Sequence, residues 1–128
     1  MGNIPAKTKI LYQIVLEAQQ HAIDISKPGE IIQNLDSAAR NYIRQKGYGN
    51  YFGHALGHGV GRMGHELPSI SIKNKEILKP GMVFTVEPGI YLPGKLGIRI
   101  EDMVLVTETG CEVLTDCVPK ELSRMYLR

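Results

Sequence analysis

Apolar residues recur at three- to four-residue steps near the start of the chain, at Ile10, Leu11, Ile14, Val15, Ala18, Ala22 and Ile25. That period predicts an amphipathic helix over residues 6–26, stopped by Lys27-Pro28-Gly29. A second stripe, Ile31, Ile32, Leu35, Ala38, Ala39, Tyr42 and Ile43, predicts another helix, with Gly47 placed to supply a left-handed terminus. Residues 6–46 then form a helical layer. His21, Asp24 and Asp36 fall on these helices as solvated polar positions, and no role is expected of them. Beyond residue 79 the pattern changes. Lys79-Pro80-Gly81 reads as a turn, and Met82-Val83-Phe84-Thr85-Val86-Glu87 after it is rich in β-formers and apolar on both faces. Gly97 to Val106 has the same character, with a Pro93-Gly94-Lys95 turn between the two runs. Residues 79–115 are therefore expected to form hairpin strands, and the fold class is α+β, two helices packed on an antiparallel sheet.

If the two runs pair about Gly94, residues equidistant from it face each other, which sets Glu87 opposite Glu101 unless a bulge at Pro88-Gly89 shifts the register. By the period of two, Arg99 shares a face with Glu101 while Asp102 points the other way. Two like charges that close inside apolar strands need a proton, a cation or a metal between them. The residues allow metal coordination, and equally a salt bridge in which Arg99 neutralises one carboxylate.

Between helices and hairpin, residues 48–68 break both periods. The stretch from Gly53 to Pro68 holds three of the chain's four histidines and five glycines. His54 and His58 are spaced i, i+4, as on the helix of a zinc protease, but Gly53, Gly57 and Gly59 each cost a helix about 1 kcal/mol against alanine. A loop is predicted, its glycines letting the backbone come close to a ligand or a second segment. An imidazole there beside paired carboxylates suits a divalent metal with mixed N and O ligands.

Composition narrows the picture. A chain of 128 residues is the size of one domain, and 43% hydrophobic with 22% charged residues describes a globular protein. The formal charge of +2, without basic runs, points to no nucleic acid and no membrane surface as partner. Cys111 and Cys117 form neither a disulfide framework nor a C-x-x-C pair, which suits free thiols in a reducing compartment. With no apolar run of membrane length and no signal-peptide pattern, a cytoplasmic location is expected.

Five motifs, in order, resemble the pita-bread metallopeptidases, the family of methionine aminopeptidases, Xaa-Pro aminopeptidases and prolidases (Xaa-Pro dipeptidases). They are His54-Ala55-Leu56-Gly57-His58-Gly59-Val60-Gly61, His65-Glu66-Leu67-Pro68, Leu78-Lys79-Pro80-Gly81-Met82, Thr85-Val86-Glu87-Pro88-Gly89-Ile90-Tyr91 and Arg99-Ile100-Glu101-Asp102. His54 and the Arg-Ile-Glu-Asp form resemble the Xaa-Pro branch, and Leu35 to Arg40 resembles the helical layer of the prolidases. The resemblance implies that His58, Glu87 and Glu101 are metal ligands, with Glu101 bridging two divalent ions, manganese or cobalt. It implies that His54 and His65 stabilise the attacked carbonyl and move protons, that Arg99 stands near the bridge, and that Glu87 takes the proton of a bridging water. The substrate implied is a proline-containing dipeptide or peptide, cut at its Xaa-Pro bond.

The resemblance departs at one point. A pair of aspartates completes the family's site from a hairpin that lies upstream of the first helix of this chain, and Asp24, Asp36, Asp102 and Asp116 cannot replace them. The chain is identified as the C-terminal half of a pita-bread catalytic domain, with Met1-Gly2 as an added start, weak metal binding and no activity when alone. Its implied partner is the missing N-terminal half. The alternative is a pita-bread scaffold used as a non-catalytic binding module. A lone half would also expose the apolar surface its other half covers, so a homodimer is a third expectation.

Overall fold

The computed structural model describes residues 3–122; Met1 and Gly2, expected as an added start, lie outside them. The first helix, α1, runs Ala6–Asp24 and the second, α2, Ile32–Gln45. α1 buries Leu11, Ile14, Val15, Ala18 and Ala22, the stripe its sequence spells out. Ile10, expected on that stripe, is instead 58% exposed, because it falls on the flank of the helix away from the sheet. α2 ends in a Schellman motif: Tyr48 N–H donates to the Ile43 carbonyl and Gly47 N–H to that of Arg44, with Gly47 at φ 92°. Asp36 is a correction. It is completely buried on α2, not solvated, because the guanidinium of Arg40 one turn later neutralises it.

The strands are β1 (Gly57–Gly59), β2 (Glu66–Ile70), β3 (Val83–Val86), β4 (Gly89–Leu92), β5 (Leu96–Arg99), β6 (Asp102–Val106) and β7 (Cys111–Val113). Five of them form an antiparallel sheet in the order β2-β1-β3-β6-β7, while β4 and β5 pair as a separate two-stranded lobe. One core joins helices and sheet, with Phe84, Leu11, Ile32, Leu35, Ile43 and Leu56 among its fully buried side chains. Burying each such side chain contributes roughly 1.5–3 kcal/mol.

The hairpin keeps the predicted register on both levels, Val83 opposite Leu105 and Gly89 opposite Arg99. It is nevertheless broken into two sheets between them. Pro88 has no N–H to give to a ladder, and across the gap only a 3.4 Å bond from Ile100 N–H to the Pro88 carbonyl is made. The carbonyls left at the break are met from α1. The amide of Gln19, 1% exposed, donates to Val86 O at 3.0 Å and to Ile100 O at 3.3 Å. Glu87 and Glu101 are the residues that follow those two carbonyls.

Residues 48–68 are not simply a loop. A short 3-10 turn, Gly49–Tyr51, leads to irregular chain and then to β1 and β2, so His58 lies on a strand. No apolar period marks β1 because glycine, rather than a side chain, is what its neighbours leave room for. A Cβ on Gly57 would stand 1.8 Å from the Thr85 carbonyl oxygen. No helix is long and apolar enough to cross a membrane.

Candidate active site

The close approach of β1 to β3 sets His58 beside Glu87. His58 N–H donates to Thr85 Oγ1 at 3.1 Å, and Glu87 N–H donates to the Leu56 carbonyl at 2.8 Å. His58 Nδ1 lies 2.9 Å from the Gly59 carbonyl oxygen. A carbonyl only accepts, so the ring proton is assigned to Nδ1 and Nε2 keeps its lone pair. That lone pair faces Glu87 Oε2 at 3.5 Å. Two acceptors so placed repel unless a proton or a cation lies between them. Bonds of about 2.1 Å from N and O to one metal, at a near-tetrahedral angle, would span such a gap.

The other candidates gather in pairs. The His65 ring lies on that of His58, centroids 4.0 Å apart at 38°. His54 Nδ1 is 2.7 Å from the Ala55 carbonyl and its Nε2 is 2.8 Å from the Tyr91 hydroxyl, so by the same reasoning Tyr91 donates to it. Tyr91 on β4 belongs to one of the quoted motifs, but no role was read for it. Its position two residues beyond Gly89, whose missing side chain makes room for the phenol, was the available signal. Arg99 and Glu101 share a face as expected, Nη2 to Oε2 at 4.0 Å.

The expected pair of like charges buried in apolar strands is corrected. The Glu87 side chain is 14% exposed, but that of Glu101 is 46% exposed and turned toward Arg99, 52% exposed. The cause is the break in the hairpin, which brings both positions to the margin of the sheets. Asp102, one residue on, does point the other way. It is 1% exposed and is held by Thr115 Oγ1 and the Lys120 ammonium. Among the described residues, no group of three His, Cys, Asp or Glu side chains converges to hold a metal. The donors therefore fit a divalent cation in part: His58 and Glu87 are spaced to share one, and further ligands are needed to complete its shell.

The sequence profile of metallopeptidase family M24 matches residues 1–108. The Xaa-Pro dipeptidase of Pyrococcus furiosus is 52% identical over 115 residues, which are 90% of this chain and 33% of that protein. An uncharacterized peptidase of Staphylococcus aureus is 54% identical over 114 residues, 89% of this chain and 32% of that one. Among solved structures, the X-Pro aminopeptidase of Thermotoga maritima superposes with a TM-score of 0.91 at 52% identity, covering 94% of this chain and 34% of that one. The chain thus spans about a third of the length of the curated relatives it matches, and corresponds to their C-terminal part.

Proposed function

The chain belongs to metallopeptidase family M24, with the helices and antiparallel sheet of the C-terminal half of a pita-bread domain, and on that footing we propose that it is the ligand-bearing half of an enzyme that cuts Xaa-Pro peptide bonds. One observation carries this reading: the imidazole Nε2 of His58 and the carboxylate of Glu87 face each other at the spacing of two ligands on one cation. The relatives named Xaa-Pro dipeptidase and X-Pro aminopeptidase supply the substrate class.

The roles are those that the resemblance to the family implies. His58 and Glu87 would hold one divalent cation, and Glu101, across the break in the hairpin, would be the carboxylate shared with a second. When bound, the two ions, manganese or cobalt, supply an activated water for attack on the peptide carbonyl. Glu87 accepts that water's proton. His54 and His65, on either side of His58 in the chain, meet the substrate and move protons, His54 with its Nε2 already satisfied by Tyr91. Arg99 balances the charge of Glu101. The remaining ligands are the aspartates of an N-terminal half, so the chain by itself is inactive.

The two free cysteines suit a cytoplasmic location, and pairing of two copies is the further expectation for a half without its complement. The competing reading is a non-catalytic binding module on the same scaffold, favoured by the lack of a three-donor group among the described residues. Supplying the chain with an N-terminal half carrying the two aspartates, and with manganese or cobalt, separates the two. Cleavage of a proline dipeptide with two bound metals is the expected result. A folded, complete assembly with neither metal nor cleavage leaves the binding module, and sedimentation of the lone chain reads the dimer.

A further inference from the structure

The segment between Phe52 and Leu56 carries His54 but belongs to neither a helix nor a strand. Its main chain is tied instead to two side chains of α2. Arg40 Nη1 donates to the Phe52 carbonyl at 2.7 Å, and Arg40 Nη2 donates to the His54 carbonyl at 2.8 Å. Asp36 Oδ2 accepts the Leu56 N–H at 3.1 Å. The two side chains are locked to each other, Nε to Oδ1 at 2.6 Å and Nη2 to Oδ2 at 3.0 Å, with the carboxylate fully buried. The guanidinium also lies 4.2 Å from the centre of the Phe52 ring, which stands nearly perpendicular to the His54 ring with the two centres 5.0 Å apart. Arg40 and Asp36 thus replace, for three alternate residues, the ladder that a neighbouring strand would give.

We propose that Asp36 and Arg40 are positioning residues, a clamp that sets the imidazole of His54. The clamp reaches further by one peptide. Leu56 gives its N–H to Asp36 and its carbonyl to the N–H of Glu87. The path from α2 to the glutamate backbone is therefore two hydrogen bonds long. Only a planar fork with donors on several sides can hold its carboxylate partner and two carbonyls together; a lysine ammonium in the same place cannot reproduce that geometry. A buried carboxylate of this kind is retained at a desolvation cost, which its fixed partners offset.

The bearing of the clamp on peptide cleavage rests on the function proposed above, whereas the clamp itself is read in the chain alone. The test is the tautomer of His54, followed by nitrogen-15 NMR of the 128-residue chain at a pH of about 8.5, where imidazoles are neutral. The wild-type chain is expected to show His54 as a single Nδ1–H tautomer, and Tyr91→Phe to shift its Nε2 resonance, which fixes the assignment. In Arg40→Lys, His54 is expected to lose that single-tautomer signature and average between the two forms, while His21 on α1 keeps its signals. Asp36→Asn, which keeps one acceptor oxygen, is expected to act in the same direction and decides the matter where Arg40→Lys does not fold. An unchanged His54 spectrum in either folded variant overturns the proposal. Equal loosening at His21 does so too, since it marks a general loss of structure. A chain that shows the clamp, yet never cleaves when completed, sinks the peptidase reading and leaves the clamp standing.

Discussion

His58 on β1 and Glu87, the residue after β3, hold Nε2 and Oε2 3.5 Å apart. Added cobalt is expected to bind the lone chain weakly there. Both His58→Ala and Glu87→Gln should raise the Kd by at least about tenfold, or 1.4 kcal/mol. Isothermal titration checks it, and equal affinity in all three proteins would place the cation elsewhere.

Glu101 is half-exposed, and its pairing with Arg99 is long, 4.0 Å, and solvent-screened. Glu101→Gln is therefore expected to move the stability of the chain by less than about 0.5 kcal/mol. In the completed enzyme it should abolish cleavage, because the amide keeps the shape without the charge to bridge two cations. Turnover at the wild-type rate would remove Glu101 from the site.

Gln19 is the polar residue in the apolar face of α1, and its amide serves the Val86 and Ile100 carbonyls. Gln19→Leu fills the same space and leaves those oxygens short of a donor. A loss of about 2 kcal/mol or more is expected in urea unfolding, and an unaltered midpoint would show that the break in the hairpin is held by other contacts.

Gly57 tolerates no side chain. Its added methyl would stand 1.8 Å from a main-chain oxygen of Thr85, while Gly110 has nothing within 4 Å. Gly57→Ala should cost at least about 3 kcal/mol by forcing β1 from β3, with Gly110→Ala close to neutral. Comparable unfolding midpoints for the two variants would contradict the close approach.

The Tyr42 hydroxyl is bonded to the Glu17 carboxylate, which pushes its pKa up to about 12, with burial adding to the shift. The same bond, with help from Gln13, holds the Glu17 carboxyl below its ordinary range. A raised tyrosine value means that this link is complete below pH ~10 and is lost as pH climbs toward 12. At the acid end it fades as pH falls through the lowered Glu17 value. Phenolate absorbance should show two of the six tyrosines ionising late, Tyr42 and Tyr12, the latter raised by burial and the Asp102 charge, and Tyr42→Phe should remove one of the two. A single common step for all of them would rule the link out.

Much of this was legible in the chain itself. The helical stripes gave α1 and α2 to within two residues at most boundaries, and centring the turn on Gly94 gave a register that holds on both sides of the break. Pro88, with no N–H to give, marked where the ladder weakens, but the glutamine that meets the carbonyls at the break was not legible, since it comes from a helix far away in sequence. β1 was hidden because Gly-His-Gly has no apolar alternation, its reason for being a strand lying in Thr85. Burial of Asp36 is hidden in the sequence for a similar cause. A carboxylate on a helix reads as solvated until its arginine is seen to turn inward with it, and the Asp-x-x-x-Arg spacing was the only hint. Tyr91 and Arg40 acquire meaning only from where His54 is carried.

The seam at Pro88 and Ile100 separates the β4–β5 lobe from the main sheet while Gln19 staples its root. A projection attached in that way can grow, shrink or be exchanged at its Pro93–Lys95 tip without shifting the acidic residues at its base.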